Sequence, residues 1–318
     1  MLIQLILGIT IINICQKIVT PYIAMTYPSL MVVVVISNIH LVLIFGALSI
    51  YLNNFDIPKP KYYHHIIIGG VSNAIMAVLF MFCSNTNRVS LVFQGILPNM
   101  SIFISVILSK LILKKRNTYI LKYIIPSILF LIASISFSIL PKSNNSFSLS
   151  WILLYILAII MMCVQNIYQE KYLIDTNDRS NANIVTLLFF IRLFQLICVT
   201  IFSWTDIFLN NVNMLGSVKI FFTEIKPFIA LELFIFTTFS IFFLAAKLNS
   251  ISSNYYMIIN VLNSPSAYIF YMLVPILSTG TKIPKLNIIC SFITAILSVI
   301  FWCLGEKKEN TYLIMDDI

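Results

Sequence analysis

Charge is what this chain has least of. Only 10% of its 318 residues are Asp, Glu, Lys or Arg, against about 25% in an ordinary soluble domain, so a soluble globular fold is excluded. Glycine is scarce too, with 8 residues, and no glycine-rich phosphate loop occurs. There is no Ser-His-Asp set and no metal-ligand cluster, so an enzyme is not expected, nor a cofactor or metal. The cysteines (Cys15, Cys83, Cys163, Cys198, Cys290 and Cys303) form no C-x-x-C pair. All fall in apolar runs, where they read as small packing residues rather than a disulfide framework. A basic n-region and a small-residue cleavage site are missing as well. The first apolar run is therefore expected to be an uncleaved anchor, unless the natural N-terminus is longer.

What the chain does have is apolar surface: 60% hydrophobic residues and a mean hydropathy of +0.98. Its apolar runs repeatedly reach the roughly 20 residues needed to cross hydrocarbon. Ten spans are expected, over 2–23, 28–52, 64–84, 89–113, 118–140, 149–172, 181–204, 227–247, 252–276 and 284–304. Pro21, Tyr27 and Pro28 mark a tight turn between the first two. The one long connection, 205–226, has room for an interfacial helix. The net charge of +9 does not indicate a nucleic-acid partner, because the basic residues are short clusters at span ends and read as topology signals. Placing both termini in the cytoplasm puts the collar of Lys110, Lys114, Lys115, Arg116 and Lys122 inside. Arg88, Lys142, Lys219, Lys226, Lys282 and Lys285 then fall outside, and the larger share of positive charge is cytoplasmic.

An internal repeat is visible. The fourth span reads Ser90-x-x-x-Gln94-x-x-x-Pro98, and the ninth reads Tyr256-x-x-x-Asn260-x-x-x-Ser264-Pro265. Both follow a short polar turn, and both set an amide about one turn before a proline. They occupy the same place in two five-span halves. Five is odd, so the halves run through the membrane in opposite senses, the inverted-topology repeat of secondary transporters. The fold class is thus an all-α membrane protein with ten transmembrane helices in two inverted five-helix repeats. The halves are 1–141 and 142–304, with a cytoplasmic tail over 305–318.

Four places in the chain resemble one known family. They are Gln16-Lys17 in span one; Asn87-Arg88-Val89-Ser90-Leu91-Val92-Phe93-Gln94 with Pro98; Lys171-Tyr172-Leu173-Ile174-Asp175 with Arg179-Ser180-Asn181-Ala182; and Asn263-Ser264-Pro265 in span nine. In this the chain resembles the chloroquine-resistance-transporter-like branch of the drug/metabolite transporter superfamily. The second motif is the specific one. The resemblance implies ten helices around a central cavity in a vacuolar or lysosomal-type membrane. It also implies movement of amino acids, short or thiol peptides or amphipathic cations toward the cytoplasm, driven by the proton gradient. The chain departs from the family in two places: Gln16 stands where the family has Asn, and 205–226 lacks the family's paired lumenal cysteines.

The candidate substrate-binding residues are Lys17, Ser90, Gln94, Asn99, Gln165, Tyr256, Asn260 and Asn263, with Gln169 beside Gln165. Lys17 either lines a hydrated cavity or snorkels to the surface. Gln94 carries two donors and an acceptor, for a polar solute or for a neighbouring helix. Ser90 and Pro98 share its helical face, and Asn99 lies one position further round. Pro98 has no N–H, so the Gln94 carbonyl loses its helical donor and must find protein or water. Arg88 at the span's mouth, Pro98 and Pro265 are read as structural. Glu232 is the candidate proton carrier, its carboxyl raised by burial, with Arg192 as counter-charge; a static interfacial role is the competing reading. The neighbouring His64 and His65 are expected to point apart and not to bind metal. In the tail, Glu309 with Leu313-Ile314, and Tyr312 with Met315, fit patterns that endolysosomal sorting adaptors read.

The partners expected are a small-molecule substrate, membrane lipid and that adaptor. Three functions are carried forward: a secondary-active carrier of small solutes, a nucleotide-sugar or phosphate-ester exchanger of the same superfamily, and a non-transporting membrane interaction protein.

Overall fold

In the computed structural model, the described residues are 2–56, 59–84, 88, 89, 93, 94, 97–114, 149–203, 213–253, 256, 257, 259, 293 and 296. At 2, 3, 6, 17, 21 and 99 the backbone course alone is described. Among these residues every regular element is helical. In chain order they are α1 (Leu2–Thr26), α2 (Leu30–Leu52), α3 (Tyr63–Cys83), the 3-10 turn η1 (Leu97–Met100) and α4 (Ser101–Ile112). Then come α5 (Leu149–Thr176), α6 (Asn181–Phe202), α7 (Met214–Thr223) and α8 (Ile225–Asn249). Six of them, α1, α2, α3, α5, α6 and α8, are long and apolar enough to cross a bilayer. The protein is an all-helical, multi-pass membrane protein, as a chain whose backbone must satisfy its own hydrogen bonds in hydrocarbon has to be.

The helix limits follow local chemistry. Pro21 lies inside α1, and the chain turns at Tyr27–Ser29. There Ser29 caps α2, its hydroxyl accepting from the Val32 N–H at 3.4 Å. The Ser29 N–H in turn donates to Ser217 Oγ at 2.7 Å, tying α7 to the turn. Tyr27 is buried at this turn, and desolvation, with the Glu224 carboxylate adding to it, pushes its hydroxyl up to about 12. Ser180 caps α6 by accepting from the Asn183 N–H at 3.2 Å. Asn213 caps α7, its side chain accepting from the Gly216 N–H at 2.8 Å.

The fourth expected span, 89–113, differs from a simple continuous helix. Among its described residues, Phe93 and Gln94 are helical, Leu97–Met100 winds as a 3-10 turn that contains Pro98, and α4 follows from Ser101. A proline that cannot donate, and whose ring crowds the preceding turn, accounts for the tighter winding there. The expected span over 118–140, and nearly all of 252–276 and of 284–304, lie outside the described residues.

Packing runs mainly between early and late helices. α3 packs on α5 and α6, α2 on α6, and α1 on α8. Small residues permit close approach. A Cβ at Gly70 would stand 2.6 Å from the Phe194 Cβ and 3.1 Å from the Ile191 carbonyl, so α3 and α6 meet nearly backbone to backbone here. Two apolar cores result. One joins Val89, Phe93 and Leu97 to Tyr155, Cys163, Tyr256 and Met257. The other joins Met31, Leu41 and Phe45 of α2 to Leu187, Leu188 and Ile191 of α6. Large apolar residues such as Leu43, Leu111 and Phe236 point outward, as lipid-facing positions do.

Candidate functional site: buried polar groups between the helices

α6 is an apolar helix with one cation at its middle. Arg192 is 2% exposed, and removing a guanidinium from water is costly unless it is paired. Its surroundings compensate only in part. Nη1 donates to Gln195 Oε1, one turn along the same helix, and to Asn38 Oδ1 of α2 at 3.4 Å. Asn73 of α3 adds its Nδ2 to the same Gln195 oxygen at 2.8 Å. Phe242 of α8 lies flat beneath the cation, its ring centroid 3.4 Å from the guanidinium carbon, a cation–π contact. Arg192 Nε and Nη2 and Asn73 Oδ1 are buried with no hydrogen-bond partner. Four helices therefore converge on one cation, and no carboxylate among the described residues pairs with it.

A second polar cluster joins α5 to the end of α8. Asn249 donates one amide hydrogen to Asn166 Oδ1 and the other to Gln169 Oε1, each at 2.7 Å. One turn on, the Glu170 carboxylate accepts from the Ser253 N–H at 2.8 Å. All five residues are buried, and so is Gln165.

The segment before α4 is held by side chains from α5 and by its own amide. The Gln94 side-chain nitrogen donates to the carbonyls of Val89 at 2.7 Å, Ser84 at 3.2 Å and Cys83 at 3.4 Å. It thus binds the chain leaving α3 to the start of the next span. The Gln94 carbonyl that Pro98 deprives of its helical donor accepts from the Tyr155 hydroxyl at 3.2 Å. Arg88 donates to the Phe82 carbonyl at 3.1 Å and stacks over Trp151, 4.5 Å from its centroid. The Cys163 thiol lies between the two motif-bearing segments, 3.4 Å from the Ser101 carbonyl and 3.9 Å from the Met257 sulfur. Tyr256 and Pro98 are buried nearby.

The expected pairing of Glu232 with Arg192 is corrected. Glu232 Oε1 lies 3.8 Å from His40 Nε2 of α2, with both side chains more than a third exposed. Glu232 precedes Phe242, the residue under Arg192, by ten positions of α8. That is about 15 Å of helix rise, too far for contact. The two histidines also differ from expectation. The ring centroids of His64 and His65 are 3.8 Å apart, and His65 Nε2 is 2.7 Å from Asp175 Oδ2. That carboxylate, at the end of α5, draws His65 inward. At this end of the bundle a cavity of about 190 Å³ is lined by Lys59, Lys61, Tyr172, Asp178 and Asn183, among others. No group of three metal-ligating side chains occurs among the described residues.

Of the remaining candidates, only the backbone is described at Lys17, in α1, and at Asn99, in η1. The neighbouring Gln16 reaches α8, its Nε2 donating to Thr238 Oγ1 at 2.8 Å. Ser90, Asn260, Asn263, Pro265, Glu309, Tyr312, Leu313 and Ile314 lie outside the described residues. Asn38, Asn73, Gln195, Glu170, Asn249 and His40 were not singled out from the sequence. Each is a polar residue in or at the end of an apolar run, and that is the only signal the sequence offers for it. Compared with known proteins, the chain matches no family model and no curated protein.

Proposed function

We propose that this protein is a secondary-active carrier rather than an enzyme, with ten helices in two inverted five-helix halves that rock around a central polar site. The observation that carries this reading is the position of the Arg192 network. Asn38 and Asn73 belong to the first half, and Arg192 and Gln195 to the second. A buried ionisable group on such a seam is where carriers of this architecture bind solute.

The packing supports the repeat. Exchanging the halves turns span one into span six and span eight into span three. The α1–α8 contact then becomes the α5–α3 contact, and both are present. The α2–α6 contact maps onto itself, as a two-fold relation between the halves requires, and it too is present.

In this reading Lys17, Ser90 and Gln94 face Asn260 and Asn263 across the cavity, and transport is coupled to protons through Glu232. The solutes are amino acids, short or thiol peptides or amphipathic cations, as the resemblance to chloroquine-resistance-type carriers suggests. The membrane is vacuolar or endolysosomal, both termini are cytoplasmic, and the Glu309–Met315 patterns serve a sorting adaptor. A nucleotide-sugar or phosphate-ester exchanger is the second reading, favoured by the buried guanidinium and tested by nucleotide-dependent thermal stabilisation.

Counterflow in proteoliposomes tests the carrier reading, using labelled amino acids, short peptides, glutathione and an amphipathic cation with and without an imposed pH gradient. Saturable uptake that the gradient accelerates is expected. Folded protein that moves none of these solutes would move the weight to the exchanger, and then to a non-transporting interaction protein.

A further inference from the structure

The two nitrogens of Arg192 that lack a partner are not an arbitrary pair. Nη1 lies on the Cδ side of the guanidinium, and it is the nitrogen committed to Gln195 and Asn38. Nε–H and Nη2–H lie together on the opposite edge and point the same way. They form the side-on fork whose spacing matches the two oxygens of a carboxylate. Both atoms are buried and unpartnered. The network around Arg192 thus spends its acceptors on one edge of the guanidinium and leaves the complete bidentate edge to something else.

The orientation of the neighbouring amides is fixed by the chemistry. Arginine can only donate, so the Gln195 atom facing Nη1 must be its oxygen. Asn73 also meets that oxygen, so it must present its NH₂ group. The remaining Asn73 oxygen is an acceptor and cannot serve Arg192 as a counter-ion. Phe242 covers the flat face of the cation and leaves its edge untouched. The buried or intramembrane acids described are occupied elsewhere, Glu232 with His40 and Glu170 with the Ser253 N–H.

We propose that the Nε–Nη2 edge of Arg192 is the recognition element for a carboxylate on the transported solute. The proposal rests on the carrier reading and narrows its substrates to carboxylate-bearing solutes, such as amino acids and short peptides, at the expense of amphipathic cations. A buried guanidinium repels a cation, whereas a carboxylate supplies the missing counter-charge and fills both donors at once. Charge count favours carboxylate over a phosphate ester. The network contains one cation, and a single negative charge neutralises it, whereas a phosphate dianion would leave an excess charge in a low-dielectric interior.

The test uses the purified full-length protein and reads thermal stabilisation by glutamate, leucine and glutathione, each against its methyl ester, with glycerol phosphate as a further arm. At least one acid is expected to raise the unfolding temperature while its ester does not. Arg192→Gln is expected to weaken that acid by roughly 30-fold or more, and Arg192→Lys, which keeps the charge and loses the fork, to fall in between. The proposal is overturned if acid and ester stabilise alike, if the acid effect survives Arg192→Gln, if glycerol phosphate alone stabilises, or if none of the acids does. Should Arg192→Gln not fold, the acid-against-ester comparison on the unaltered protein decides. Counterflow separates this proposal from the carrier reading. Saturable transport confined to esters and cations keeps the carrier and rejects the carboxylate anchor, whereas acid binding without any counterflow keeps the anchor and rejects the carrier.

Discussion

The Tyr155 hydroxyl donates to the Gln94 main-chain carbonyl at 3.2 Å, and Pro98 is the reason that carbonyl is free to accept. A residue with an N–H at position 98 would supply the helical donor itself. Replacing Tyr155 by Phe should strand this part-buried carbonyl and cost about 1 kcal/mol. In a Pro98→Ala background the same replacement should cost much less, because the alanine N–H provides the missing hydrogen. Thermal unfolding of the two single variants, the double variant and the parent closes this cycle. Strictly additive effects would show that the hydroxyl and the proline are unrelated.

Close packing of α3 on α6 gives a sharper contrast between two neighbouring glycines. A Cβ at Gly70 would meet the Phe194 Cβ at 2.6 Å, which neither helix can relieve by turning a side chain. A Cβ at Gly69 would meet only the flexible end of Ile191, at 3.4 Å. Gly70→Ala should therefore destabilise by about 1–3 kcal/mol, in the range for overpacking, while Gly69→Ala should be near neutral. Equal unfolding temperatures for the two variants would contradict the helix approach described here.

The membrane character and the described helices were legible because hydrophobic length is a property of contiguous sequence. The expected span 181–204 and the observed Asn181–Phe202 differ by two residues, and Ser180 marks that start chemically. The freed carbonyl of Gln94 could also be anticipated, since proline acts locally. Its donor could not, because Tyr155 is distant in sequence and meets Gln94 only through packing. Arg192 and Glu232 show the same limit from the other side. Both were visible as ions in apolar runs, and pairing them was reasonable on charge alone. The ten positions of α8 that part Glu232 from Phe242, the residue under Arg192, decide otherwise, as does the His40 imidazole beside Glu232, and neither contact is written in one segment of chain. Asn38, Asn73 and Asn249 are lone amides whose meaning comes entirely from the helix opposite.

Asn249 illustrates how much one such amide can hold. Both of its amide hydrogens are used, on Asn166 and on Gln169, each at 2.7 Å. Asn249→Leu keeps the approximate volume and strands two buried acceptors, at about 1–3 kcal/mol for each. Asn249→Asp should be worse, since it sets a carboxylate oxygen against oxygens that already lack a donor. A lower unfolding temperature for Asp than for Leu is the expected order. The reverse would mean that water or another donor reaches the cluster.

In the carrier reading, the His40–Glu232 contact between α2 and α8 is where proton coupling is tested. His40 Nδ1 lies 2.8 Å from the Ile36 carbonyl, an acceptor, so Nδ1 carries a hydrogen and Nε2 faces Glu232. An imidazole nitrogen facing a carboxylate between two apolar helices is the kind of contact on which an intramembrane proton relay is built. Glu232→Gln should preserve solute exchange under counterflow and abolish acceleration by an imposed pH gradient. His40→Gln should also blunt the gradient response, because Glu232 loses the imidazole it faces. Substitution of Arg192, whose contact on α8 is Phe242, about 15 Å of helix rise from Glu232, should leave gradient sensitivity intact in whatever transport remains. Uptake by each variant with and without the gradient checks all three statements. A gradient response unchanged in Glu232→Gln would place the coupling proton elsewhere in the protein.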